Sequence, residues 1–163
     1  MLFTKYLNSF LIFNILLLIF FSLSVTSIET FQIINSISYV FFHFIVFYLA
    51  LYYFRKLLFF IFFIYGLALD LLLIFQIGPH LIVFLTVLLI ISQTRRYFSY
   101  LSSFKIYSII ILAQLLMVFF EMVLSKLLFN YNFNLNVFYQ IIIISIIISY
   151  PTFLFFSKID SFK

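Results

Sequence analysis

The chain has no cysteine and no tryptophan, two glycines, two prolines and only 8% charged residues among its 163. Without cysteine there is no disulfide, no thiol nucleophile and no thiolate metal site. Soluble domains carry roughly a quarter charged residues. Here 67% of residues are hydrophobic and the mean hydropathy is +1.34, so the polar surface that would cover a water-facing globule is missing. Soluble α/β enzymes, disulfide scaffolds and disordered tails are excluded at this step.

What the sequence has instead is long apolar runs. A membrane β-barrel would alternate apolar and polar residues, whereas Ile141, Ile142, Ile143 and Ile144 are apolar on every side. A helical span needs about 20 apolar residues to cross a hydrocarbon core of ~30 Å. The runs at 7–25, 31–54, 57–75, 79–93, 106–129 and 137–156 therefore predict an all-α bundle of six transmembrane helices in a single polytopic domain over 1–163. The first run follows Lys5 and resembles a signal peptide, but no small-residue cleavage site follows it, so it reads as a retained helix. The 28 phenylalanines read as compositional drift, in company with Ile, Tyr and Asn, rather than as a binding stripe.

The third and fourth spans need a break between them. A single helix over 57–91 would rise about 52 Å at 1.5 Å per residue, too long for one pass. Gly78-Pro79 supplies the break, because proline removes a backbone donor and disfavours helix just before it. The fourth span is then short, roughly 22 Å by the same rise. Pro151 is expected to kink the sixth. With a cytoplasmic amino terminus, Lys5, Arg55, Lys56, Arg95, Arg96, Lys105, Lys158 and Lys163 all fall inside, eight of the nine basic residues, and only Lys126 falls near the other face. That bias is the rule for short-loop membrane proteins. It accounts for the net charge of +5 through orientation and the lipid bilayer, with no nucleic acid. The pairs Arg55-Lys56 and Arg95-Arg96 are first of all orientation signals, with an anionic-lipid or cytoplasmic-partner contact as the other option.

An ionisable group in hydrocarbon requires a partner, a cavity or a neutral state. Asp70 lies about 20 Å into the third span and Glu121 about 22 Å into the fifth, at 1.5 Å per residue, so both sit at similar depth in the outer half. His80 opens the fourth span and Lys126 follows Glu121 by one turn, which predicts four titratable groups in one layer. Gln114, Met117, Glu121 and Ser125 share one helix face by their spacing. Lys126 points elsewhere, either to reach Asp70 or to snorkel outward. For the two carboxylates, helix-joining hydrogen bonds and a ligand or partner site both stay open. His43 and His80 read as packing histidines, because neither has a metal-motif spacing. Gly66 and Asp70 stack on one face four residues apart, so another backbone can approach beside the carboxylate, and Gly78 permits the sharp turn.

At this hairpin the sequence resembles the MreD family, small polytopic rod shape-determining membrane proteins of bacteria. Gly66-Leu67-Ala68-Leu69-Asp70, with Gly78 eight residues after the aspartate and a polar His80, matches that family's spacing. The chain length, six apolar runs, the basic connection at Arg95-Arg96 and the proline-containing last helix match as well. The resemblance implies a non-enzymatic component of the elongation machinery in the cytoplasmic (inner) membrane, with no cofactor. It implies MreC-like and MreB-like partners and the transglycosylase–transpeptidase pair of lateral-wall synthesis. The role it implies is that of an adaptor between cytoplasmic filament and periplasmic scaffold. Two other readings stand beside it. One is a small-solute-binding subunit of a vitamin-type uptake transporter, with Asp70, His80, Glu121 and Lys126 lining an outward pocket. The other is an intramembrane enzyme in which Asp70 and Glu121 share a proton as an acid dyad.

Overall fold

A computed structural model describes residues 2–25, 32–98, 103–130 and 135–161. The described residues form helices and their connections, with no strand. The helices are α1 (Leu2–Val25), α2 (Gln32–Tyr52), α3 (Leu57–Leu69), α4 (Pro79–Phe98), α5 (Ser103–Phe129) and α6 (Leu135–Ser161), and a π-helical turn, Asp70–Ile74, extends α3. Three of them are long and apolar enough to cross a membrane, over Ile33–Tyr52, Lys105–Phe129 and Phe138–Phe156. Shorter apolar helices cover Phe10–Val25, Leu57–Leu73 and Pro79–Thr94. All six helices fall on the runs expected from sequence.

The boundaries differ in instructive places. α4 continues five residues beyond Gln93, through Arg95 and Arg96, since nothing there breaks a helix. α6 remains one helix through Pro151, where the Thr152 hydroxyl donates to the carbonyl of Ile148 at 2.6 Å. The third run is α-helical only to Leu69 before it widens into the π turn. Residues 131–134, between α5 and α6, and the last two residues of the chain lie outside the described part.

α2 is the hub. It packs against α1, α4, α5 and α6, while α3 packs chiefly on α4. Two thirds of its most apolar window is buried, against 28% for α5 and 17% for α6. The distribution of polarity is inverted relative to a water-soluble globule. Leu11, Ile15, Leu18, Phe60, Leu112, Ile143 and Ile147 are among many large apolar side chains on the outside, while His43, Asp70, His80, Gln114, Glu121 and Ser145 are buried. Hydrocarbon outside gives no reason to hide leucine, and it gives every polar group a reason to find a partner inside.

One end of the bundle is joined by aromatic rings. Phe13 meets Tyr48 at 5.0 Å, Tyr53 at 5.4 Å and Phe156 at 5.2 Å between centroids. This brings the first half of α1, the end of α2 and the last part of α6 together. Arg55, in the short α2–α3 connection, lies 5.3 Å above the Phe10 ring at the same end. The other end is joined by hydrogen bonds.

Candidate functional site

The hydrogen-bonded end begins with the way α3 stops. At Asp70 the helix widens by one residue per turn, and the run ends at Phe75, in the left-handed region at φ 60°. The chain crosses exposed Gln76 and Ile77, turns at buried Gly78 (φ 157°), and enters α4 at Pro79. Proline suits the first helical position, since its missing N–H would have had no helical partner. The first backbone bond of α4 runs from the Ile82 N–H to the Gly78 carbonyl at 2.9 Å.

That leaves three backbone donors at the start of α4, on Gly78, His80 and Leu81, and the Asp70 carboxylate takes all of them. Oδ2 accepts from Gly78 at 2.8 Å and Leu81 at 3.2 Å, and Oδ1 accepts from the His80 N–H at 2.9 Å. A helix start inside an apolar bundle has no water to satisfy these groups. A carboxylate aimed at a helix N-terminus also meets the positive end of its dipole. Asp70 thus caps a helix other than its own, eight residues ahead. Gly66 makes the approach possible: a Cβ built there would lie 2.7 Å from the Leu81 Cα and 3.1 Å from its nitrogen. Gly66 admits another backbone beside the carboxylate and Gly78 makes the turn, as their spacing suggested; the capping of α4 by Asp70 was not expected from the sequence.

From Asp70 the bonding continues sideways. Oδ1 also meets His80 Nδ1 at 2.8 Å, and His80 Nε2 lies 3.3 Å from the Tyr39 hydroxyl on α2. Tyr39 donates to Glu121 Oε2 on α5. Glu121 faces His43 Nε2 at 2.9 Å through Oε1 and 3.1 Å through Oε2, and His43 Nδ1 closes the circuit on the Tyr39 carbonyl at 2.9 Å. Five side chains from four helices form one continuous network. Below it, Phe42 and Phe84 pack against the His43 ring, and Phe84 in turn against Phe62.

Donor and acceptor rules restrict where the protons lie. The Tyr39 carbonyl only accepts, so His43 Nδ1 carries a hydrogen, and its Nε2 and Glu121 hold one proton between them. The Tyr39 hydroxyl donates to Glu121, so it accepts from His80 Nε2, and His80 Nδ1 and Asp70 hold a second proton between them. Each histidine–carboxylate pair is therefore neutral in sum, whichever partner holds the proton. Four titratable groups can then coexist in an apolar bundle without net charge. The two carboxylates are not a dyad: His80 and Tyr39 stand between them, with His80 Nε2 4.0 Å from Glu121 Oε2.

Two expectations need correction. The four-group layer does not include Lys126. Of the two directions left open for that lysine, it does not take the one toward Asp70: it is exposed on α5, while both Asp70 oxygens are engaged by α4. His43 is more than a packing histidine: it is the direct partner of Glu121. Tyr39, which joins the two pairs, was not singled out from the sequence, although Tyr39 and His43 are four residues apart and share a face of α2. The stripe on α5 turns inward as expected: Gln114, Met117, Glu121 and Ser125 are all buried, and Gln114 Nε2 reaches Ser145 Oγ on α6 at 3.0 Å.

Among the described residues, no group of three or more His, Asp or Glu is arranged to hold a metal ion. The groove between α4 and α5 is lined by none of Asp70, His80, Glu121 and Lys126. Arg55 is half-buried, and Lys56 and Arg96 are exposed at the ends of their helices. Comparison with protein-family models, curated proteins and solved structures returns no match for this chain.

Proposed function

We propose that this chain is a six-span, non-enzymatic protein of the bacterial cytoplasmic membrane with both termini in the cytoplasm. In this reading it acts as an adaptor in the cell-shape and elongation machinery, between an MreB-like filament, an MreC-like scaffold and the enzymes of lateral-wall synthesis. The observation that carries the reading is the α3–α4 hairpin. The three residues behind the MreD resemblance, Gly66, Asp70 and Gly78, each have a specific structural task in one turn. An even number of passes is supported by the contact of Phe13, at the middle of α1, with Phe156 near the end of α6. A turn whose polar groups are bonded within the bundle suits a part that presents a fixed surface. Solute capture is less favoured, because Asp70, His80 and Glu121 spend their bonds on one another, on Tyr39 and His43, and on backbone.

The test is affinity purification of the full chain from membranes in mild detergent. MreC-like and MreB-like proteins are expected to accompany it, and to be lost more from Asp70→Leu than from Arg55→Gln. A chain that purifies alone overturns the adaptor reading, and equal losses from the two variants remove the hairpin from it.

A further inference from the structure

A groove of about 470 Å³ runs between α4 and α5, with Phe47 of α2 at its floor. Its wall on α4 extends from Ile82 to Phe98 and on α5 from Ile109 to Leu124, which at 1.5 Å per residue is about 22–24 Å. The two threonines in it have their hydroxyl hydrogens engaged. Thr86 donates to the Ile82 carbonyl at 2.7 Å, and Thr94 to that of Ile90 at 2.8 Å. Every other wall side chain is apolar, so an occupant is held within the groove chiefly by shape and dispersion.

Shape and charge narrow the occupant. About 470 Å³ spread over about 22–24 Å of helix is a long, thin space, which suits a slender chain. By helical spacing the wall positions 109, 113, 117 and 124 of α5 continue one turn back, beyond the lining residues, to exposed Lys105. The same stripe continues at the other end into Leu128, exposed and apolar. An occupant with an apolar tail and an anionic head at the Lys105 end matches both.

We propose that the α4–α5 groove is a binding site for one acyl chain of an anionic glycerophospholipid, with its phosphate at Lys105. The inference rests on the membrane reading of the chain and not on any protein partner.

The test is native mass spectrometry of the full chain in mild detergent, titrated with phosphatidylglycerol or with phosphatidylcholine of the same acyl chains. Wild type is expected to retain one phosphatidylglycerol in preference to phosphatidylcholine. Lys105→Gln is expected to lower phosphatidylglycerol retention about fivefold, the effect of one interfacial cation, and to leave phosphatidylcholine unchanged. Ala113→Phe and Thr86→Phe fill the groove and are expected to lower retention of both lipids. Equal retention of the two lipids by wild type overturns the proposal. So does undiminished retention in either filling variant when its melting temperature is that of wild type. Should both filling variants unfold, Lys105→Gln decides alone, and an unchanged lipid preference rejects the site. Loss of a co-purifying protein from the filling variants with lipid retention unchanged also rejects it, in favour of a helix in the groove. A chain that fails to enter vesicles at all would instead overturn the membrane reading beneath it.

Discussion

The two ends of the bundle are joined by different physics. At one end, Phe13, Tyr48, Tyr53 and Phe156 meet ring to ring. At the other, Asp70, His80, Tyr39, Glu121 and His43 meet atom to atom. In lipid the aromatic end gains no hydrophobic drive, because the tails outside are as apolar as the rings inside. Its ring contacts are dispersion and ring geometry, many small terms that fail gradually, beside a hydrogen bond of 2.9 Å between the Tyr107 hydroxyl and Ser149 Oγ. The polar end has few terms, each directional, and a lost partner leaves a buried group with nowhere to turn. One end should yield by degrees, the other abruptly.

The sharpest break is Asp70→Leu. It strips the acceptor from three backbone N–H groups and leaves His80 without its acid. Removing one partner from a buried pair costs about 3–5 kcal/mol, and that loss is expected in denaturant unfolding of the reconstituted protein. A cost below that of Phe13→Ala would reverse the comparison.

Next comes Glu121→Leu, expected to cost about 2–3 kcal/mol from the stranded His43 and Tyr39 hydrogens. The informative variant is the double Glu121→Leu with His43→Phe. Replacing a buried polar pair by apolar residues of similar size is often neutral or stabilising, so the double is expected to recover most of the single's loss. A double-mutant cycle checks this. Additive losses would mean that the pair does more than satisfy itself.

How much of this end was legible in the sequence depends on how far apart the partners are. Gly66, Asp70 and Gly78 lie within one hairpin, and helix periodicity plus turn chemistry fixes their relation at spacings of four and eight. Glu121 and His43 are 78 residues apart. Periodicity gave the face of α5 on which Glu121 lies, but the neighbour of that face depends on how α2 is rotated, which no local pattern encodes. Lys126 shows the same limit: spacing turned it away from the face of Glu121 but could not choose between Asp70 and the outside. The π turn was invisible for a related reason, since its widening answers the need to bring Asp70 onto α4 rather than any feature of Leu71 to Ile74.

At the aromatic end, Phe13→Ala is expected to cost about 1–2 kcal/mol. Large-to-small changes of this kind cost about 3–5 kcal/mol in water-soluble cores. Part of that is transfer from water, which a bilayer does not supply, so the cavity term is what remains. Denaturant unfolding should show the smaller value, and a full 4 kcal/mol would indicate that this end is not surrounded by lipid.

The smallest effect belongs to Arg55→Gln. The guanidinium lies 5.3 Å over the Phe10 ring, an arrangement worth about 0.5–1 kcal/mol at an exposed site and more when desolvated. Arg55 is half-buried in a connection at the end of α2, so a value near 1 kcal/mol is expected, with Arg55→Lys retaining part of it. The same variant reads orientation separately from stability. On the proposed orientation, one basic residue fewer among several on the cytoplasmic side should leave the topology unchanged in a labelling assay. An Arg55→Gln protein as unstable as Asp70→Leu would show that the contrast between the two ends lies in depth and not in kind.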